Sequence, residues 1–157
     1  MAKKQPKKQP EGIRQIARNR RAFHDFEVLE QVEAGLVLLG SEVKSLRQGS
    51  VSFNDSYARH RKGEMWLLEL HIAPYVNASW INHEPTRKRK LLLHKREIRT
   101  LATRCDRQGL TLVPLELYFK KGKAKLMLGV CKGRKKHDKR QALRKKQDQR
   151  AMQRYEH

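Results

Sequence analysis

Leu110-Thr111-Leu112-Val113-Pro114-Leu115-Glu116-Leu117-Tyr118-Phe119, then Lys120-Lys121-Gly122, then Lys123-Ala124-Lys125-Leu126-Met127-Leu128-Gly129-Val130-Cys131, is the stretch whose reading decides the fold. Two runs rich in apolar and β-branched residues flank a short basic turn that ends in glycine, which predicts a hairpin of two strands. A second pair lies upstream: Tyr57 to His60 and Met65 to Leu70, joined by Arg61-Lys62-Gly63-Glu64, with Pro74 ending the run. Before it, Phe26, Val28, Val32 and Leu36 alternate imperfectly with Glu27, Glu30, Gln31 and Glu33. That pattern predicts a strand that bends near Ala34-Gly35 and continues through Leu39. Ser41 as N-cap, Val43 and Leu46 as apolar positions and Gly49 as stop predict a short helix, with Lys44 and Arg47 at its C-terminal end. Residues 76–90 lack period and predict a long functional loop. Lys90 to Arg107 reads as a helix ended by Gly109. Short strands, few helices and a closing hairpin predict a mainly β chain with α: a small antiparallel β-barrel of oligonucleotide-binding type with flanking helices and a basic C-terminal tail.

The formal charge of +21 is uneven. Residues 1–21 carry eight Lys/Arg against one Glu and residues 132–157 carry eleven against three acids, while 22–131 keeps only +6. Two basic ends on a near-balanced centre predict a folded module that grips a polyanion, with nucleic acid first among partners because phosphates repay dispersed cations through counterion release. The organisation expected is a disordered basic arm at 1–12, an RNA-binding domain at 13–133, and a tail at 134–157 that is disordered when free and helical when bound. Cys105 and Cys131 are the only cysteines and build neither a disulfide framework nor a zinc site, which fits a reducing, cytoplasmic setting. The N-terminus has no apolar run behind its basic residues, so neither a secretory signal nor membrane attachment is expected.

Catalysis finds no support. No P-loop, no G-x-G-x-x-G and no carboxylate cluster spaced for metal is present, and His24-Asp25, His60 and His71 lack ligand spacing. No cofactor and no metal is expected. A ribosomal or ribosome-assembly protein that binds structured rRNA is the competing reading, because basic arms alone suit both.

A series of motifs narrows the choice: Ile16-Ala17-Arg18-Asn19-Arg20-Arg21-Ala22, Glu33-Ala34-Gly35-Leu36, Glu42-Val43-Lys44-Ser45-Leu46-Arg47, Asp55-Ser56-Tyr57, Glu84-Pro85-Thr86-Arg87-Lys88-Arg89-Lys90-Leu91-Leu92-Leu93, and Lys132-Gly133 followed by His137-Asp138-Lys139-Arg140. In this order they resemble the small protein B family of SsrA-binding proteins over about residues 13–140. The resemblance implies a non-enzymatic partner of transfer-messenger RNA in trans-translation, the rescue of stalled ribosomes. It implies a barrel that binds the tRNA-like domain of that RNA as a monomer, 1:1, and a tail placed in the decoding centre and empty mRNA channel.

Carrying the family's RNA-contact positions over by motif selects Asn19, Glu33 and Leu92. Asn19 either bonds a base edge between its neighbours Arg18 and Arg20, with Arg21 in the same RNA-binding set, or serves as a turn residue or helix cap. Glu33 either accepts from base amino groups, orients a neighbouring cation, or is a solvated strand-face acid. Leu92 is either a contact or core. Arg87, Arg89 and Lys90, with Lys88, divide between the RNA backbone and solvent, while Lys44, Arg47, Tyr57 and Trp80 extend the surface by phosphate contact and stacking. In the tail, Gly133, His137, Asp138, Lys139 and Arg140 are assigned by the resemblance to the decoding centre. Relatives often carry a Trp in mid-tail; here that segment reads Lys146-Gln147-Asp148-Gln149.

Overall fold

The structure is a computed structural model that describes residues 12–78, 81–134 and 136–155, with the side chains of 140–141 and 143–154 in the last segment. Among the described residues nine strands and four helices follow in the order β1 (Ile13–Arg18), α1 (Arg20–Asp25), β2 (Phe26–Leu36), α2 (Gly40–Arg47), β3 (Val51–Ser52), β4 (Tyr57–Arg61), β5 (Glu64–Leu68), β6 (His71–Ile72), β7 (Arg89–Leu92), α3 (Lys95–Gln108), β8 (Thr111–Lys120), β9 (Lys123–Gly133) and α4 (Lys136–Tyr155). Seven strands form one antiparallel sheet in the order β1-β8-β4-β5-β7-β2-β9, and a further β8–β9 pairing closes it into a ring. The closure rests on long β2–β9 and β8–β9 ladders and on two short junctions. Only Ala58↔Leu112 joins β4 to β8, and only Gly35↔Leu92 and Leu36↔Leu91 join β2 to β7.

Both expected hairpins form, and their turns explain why. Lys62-Gly63 and Lys121-Gly122 take positive φ at both central positions, the geometry whose twist matches two-residue hairpins, and glycine supplies the second position without strain. Leu112 and Leu117, Leu126 and Leu128, Met65 and Leu67, and Leu91 fill the ring interior, and Ile98 and Leu101 of α3 pack onto the same core. Leu110 and Leu112 on one side of Pro114 and Leu117 and Phe119 on the other are all in that core, so the inward parity of β8 flips across the register shift between Pro114 and Glu116. A bulge is where a strand tolerates proline, which has no N–H for the ladder. Val113, outward before the shift, and Leu115, within it, form a second apolar cluster with Cys131 and Ala22 of α1.

Several sequence expectations are corrected. The helix expected at Lys90–Arg107 begins only at Lys95, because Arg89–Leu92 is strand β7. Leu91-Leu92-Leu93 fits both helical and strand periods, and cross-strand partners on β2 and β5 decide for the strand. The strand expected to run through Leu39 stops at Leu36, and at Gly35 its pairing passes from β9 to β7. The helix α2 is capped by Leu39 rather than Ser41; the Leu39 N–H donates to the Glu42 carboxylate at 3.0 Å, while the Ser41 hydroxyl pairs with His83 Nδ1 at 2.9 Å. β5 ends at Leu68, short of Leu70. β1 and α1 carry no clear signal in the sequence; β1 is an edge strand of mixed polarity held by β8. The arm expected to be disordered lies, up to residue 11, outside the described residues, and Gly12 is tied by its carbonyl to the Lys121 N–H at 3.0 Å.

Candidate nucleic-acid interface

Asn19 caps α1 and joins that helix to the β8 bulge. Its Oδ1 accepts from the Ala22 N–H at 3.2 Å, its Nδ2 donates to the Pro114 carbonyl at 2.9 Å, and its own N–H donates to the Leu115 carbonyl at 2.7 Å. The helix-cap alternative is therefore realised. The acceptor and one side-chain donor are used inside the fold, which leaves one Nδ2 hydrogen for another acceptor. Beside it, Arg18 stacks on Phe23 at 4.7 Å, while Arg20 and Arg21 are exposed. A groove of about 490 Å³ connects Asn19 and Arg21 with Tyr57, Gly133 and Arg134. The root of the tail is fixed there, because the Arg134 N–H donates to the Asp25 carbonyl at 3.1 Å.

Glu33 lies on the outer face of β2, and both its oxygens are engaged: the Tyr118 hydroxyl donates to Oε2, and Lys120 Nζ stands 3.4 Å from Oε1. The Tyr118 bond, aided by Lys120 and Lys125 and opposed by partial burial, holds the carboxyl below its ordinary value, so Glu33 is ionised at neutral pH. Burial and the same carboxylate push the Tyr118 phenol up, which keeps it a donor. Of the roles open to Glu33, orienting a neighbouring cation is the one this geometry displays. Leu92 is 54% exposed, so the core alternative is overturned. It covers Gly35, where a methyl group would stand 3.0 Å from the Leu92 Cβ, so glycine lets β7 lie close to β2 without displacing Leu92. Gly35 and Glu33 are two apart on one strand and share a face, so Glu33 and Leu92 flank the same junction.

The cation run divides differently from expectation. Arg89 is a correction: it is wholly enclosed and donates to Glu42 (3.0 Å), to the Leu70 carbonyl (2.6 Å) and to the Pro85 carbonyl (2.9 Å). It reaches no external phosphate. Arg87 is also drawn inward, its Nε and Nη2 lying 2.5 and 2.8 Å from the two Glu42 oxygens. Burial alone would raise the Glu42 carboxyl, but Arg87, the Leu39 amide and the Arg89 charge outweigh it and hold the group below the ordinary value. The sequence does carry a signal for this cluster. Glu42 shares a helical face with the buried Ser45 and Leu46, and an acid on a buried face demands a cation. Lys90 is partly exposed and pairs with Glu64 at 3.0 Å. Lys44 and Arg47 lie on α2, Lys44 standing 5.4 Å over the Tyr75 ring.

In the tail, His137, Asp138 and Lys139 lie within α4 with side chains outside the described set, and Arg140 is exposed. Every described α4 side chain is exposed, Leu143 and Met152 included. Trp80 is outside the described residues. Among the described residues no group of His, Cys, Asp or Glu is arranged to hold a metal, and no helix is long and apolar enough to cross a membrane. Sequence reasoning missed Tyr118 and Lys120, the partners of Glu33, since their contacts span more than eighty positions.

Residues 16–157 match the family described as SmpB protein. An SsrA-binding protein of Syntrophobacter fumaroxidans is 52% identical over 144 residues, covering 92% of this chain and 89% of the relative. One of Saccharopolyspora erythraea is 54% identical over 144 residues, covering 92% and 91%. A solved structure described as "tmRNA-SmpB: a journey to the center of the bacterial ribosome" superposes with a TM-score of 0.66 at 51% identity, over 82% of this chain and 94% of that one. With half its residues shared over nine-tenths of its length, and with the Asn19, Glu33 and Leu92 motifs inside the matched region, this chain belongs to the SmpB family.

Proposed function

We propose that this chain binds transfer-messenger RNA in the bacterial cytoplasm, accompanies it to stalled ribosomes and acts there in trans-translation without performing chemistry itself. The ring acts as a small β-barrel of oligonucleotide-binding type that binds the tRNA-like domain as a monomer, one protein per RNA. Asn19, with Arg20 and Arg21, holds one part of that domain; Lys90, Leu92 and the Glu33-oriented Lys120 hold another, with Lys44 and Arg47 adding phosphate contacts. The basic tail, from Gly133 through His137, Asp138, Lys139 and Arg140, enters the decoding centre and the empty mRNA channel.

The observation that carries this reading is the division of the molecule. A closed sheet presents Glu33 and Leu92 on its outer face, while α4 extends for 20 residues, about 30 Å, with every described side chain exposed. A helix whose described side chains all face solvent and that carries mostly Lys, Arg and Gln is built for another partner.

Binding to transfer-messenger RNA should fall steeply with salt, each phosphate contact adding about 0.7–0.9 to the log–log slope. The substitution Leu92→Glu, made at an exposed position that needs no refolding, should weaken that binding roughly tenfold or more by setting a carboxylate against phosphates. Filter binding at several salt concentrations, with an unrelated structured RNA alongside, tests both. Equal affinity for the two RNAs at physiological salt would overturn the reading.

A further inference from the structure

The outer face of β4, β5 and β7 carries a row that, Lys90 aside, none of the assignments above uses. Arg59 stands opposite Trp66, and Trp66 opposite Lys90, so the three side chains cross three strands in line. A second row runs Arg61–Glu64 and, one place along the same register, meets Leu92. Inward neighbours Ala58, Met65, Leu67 and Leu91 are buried, so the outward set is free of any task in the core. A groove of about 520 Å³ lies on this face, lined in part by Arg59, Arg61, Lys62, Trp66 and Lys88.

Charge and ring chemistry identify the occupant. Five cations, Arg59, Arg61, Lys62, Lys88 and Lys90, face one acid, Glu64, which Lys90 alone engages. Among the described residues no ion pair occupies the other four. The cation–ring stacks found among those residues are on Phe23 and Tyr75, so the half-buried Trp66 indole has none. A protein partner of ordinary composition would leave most of these donors unmatched, whereas a nucleotide supplies both a π-face for the indole and phosphates for the flanking cations.

We infer that the β4–β5–β7 face is a further contact surface for the same RNA, on which Trp66 stacks on an unpaired base while Arg59, Arg61 and Lys88 hold the adjoining phosphates. The inference rests on the reading above for the identity of the RNA, and on continuity with Leu92 for its place.

The chain has two tryptophans, so Trp80→Phe leaves Trp66 as the sole reporter. In the otherwise full-length protein, titration with transfer-messenger RNA should quench Trp66 emission. Trp66→Ala should weaken binding roughly 5- to 150-fold, the range for one stacked base, while Trp66→Phe keeps the stack and most of the affinity. Leu92→Glu is measured in parallel. Loss with Leu92→Glu and none with Trp66→Ala, together with an unquenched Trp66, overturns this inference and spares the earlier reading. Loss with Trp66→Ala and quenching, with none for Leu92→Glu, upholds the inference and removes Leu92 from the interface. If Trp66→Ala fails to fold, the quenching titration decides alone, because it leaves Trp66 in place.

Discussion

Replacing Glu42 with glutamine is expected to destabilise the protein by about 3–5 kcal/mol, the effect of removing one partner from a buried ion pair and leaving the other uncompensated. Glu42 and Arg89 are both fully buried, and Arg87 closes over them. The glutamine fills nearly the same volume, so the loss reports charge rather than a cavity. Urea unfolding measures it, and Glu42→Gln combined with Arg89→Met should recover part of the loss, because no unpaired guanidinium then remains inside. The cluster also sets an acid limit. In the fold the Glu42 carboxyl sits below its ordinary value of 4.5. As pH falls the unfolded chain therefore takes up that proton first. The stabilisation is complete above about pH 4.5 and is lost as pH drops through the folded value. Glu42→Gln should flatten that part of the stability profile, and the acid sensitivity that persists includes Glu33, also held below its ordinary value. A profile as steep as that of the unsubstituted chain would contradict the assignment.

Removing residues 135–157 should reduce tagging of nascent chains on stalled ribosomes to background while specific binding to transfer-messenger RNA stays within about threefold. The deletion keeps Gly133 and the Arg134 bond to Asp25, so the groove beside Asn19 remains intact. It removes nine Lys/Arg and three acids, a net +6. That charge contributes to attraction for any RNA, so binding to an unrelated RNA should fall further than binding to the specific one, with a shallower salt slope. Scrambling His137-Asp138-Lys139-Arg140 at constant composition separates position from charge. If only charge matters, the scrambled protein tags normally; the positional reading expects it to fail. Normal tagging by the truncated protein would end the assignment of the tail.

The legible parts of the fold are those fixed by neighbours in sequence. The hairpin turns at Lys62-Gly63 and Lys121-Gly122 are readable because glycine and alternating flanks act within a few residues. β7 reads as helix because its four residues end in a leucine run compatible with two periods, and only partners on β2 and β5 resolve it. The candidate site divides the same way. Motif resemblance locates Asn19, Glu33 and Leu92, yet what each does locally depends on distant chain: Asn19 on the Pro114 bulge 95 residues away, Glu33 on Tyr118 and Lys120. Arg89 shows the opposite failure. A basic run reads as an electrostatic surface until a buried acid claims one member, and no local pattern in residues 87–90 announces that Glu42 will do so.

The ring is strongest where β2, β9 and β8 share long ladders and weakest where two or fewer residue pairs complete it. It is thus two arcs, one stiff and one made of β4, β5 and β7, fastened at a pair of thin seams. Amide protons flanking Gly35–Leu92 and Ala58–Leu112 are those expected to exchange first, through opening of the seams rather than unfolding of the whole. An RNA that touches Glu33 on the stiff arc and Leu92 or Trp66 on the other spans the first seam like a rivet. Part of its binding energy then appears as slowed exchange at amides it never contacts.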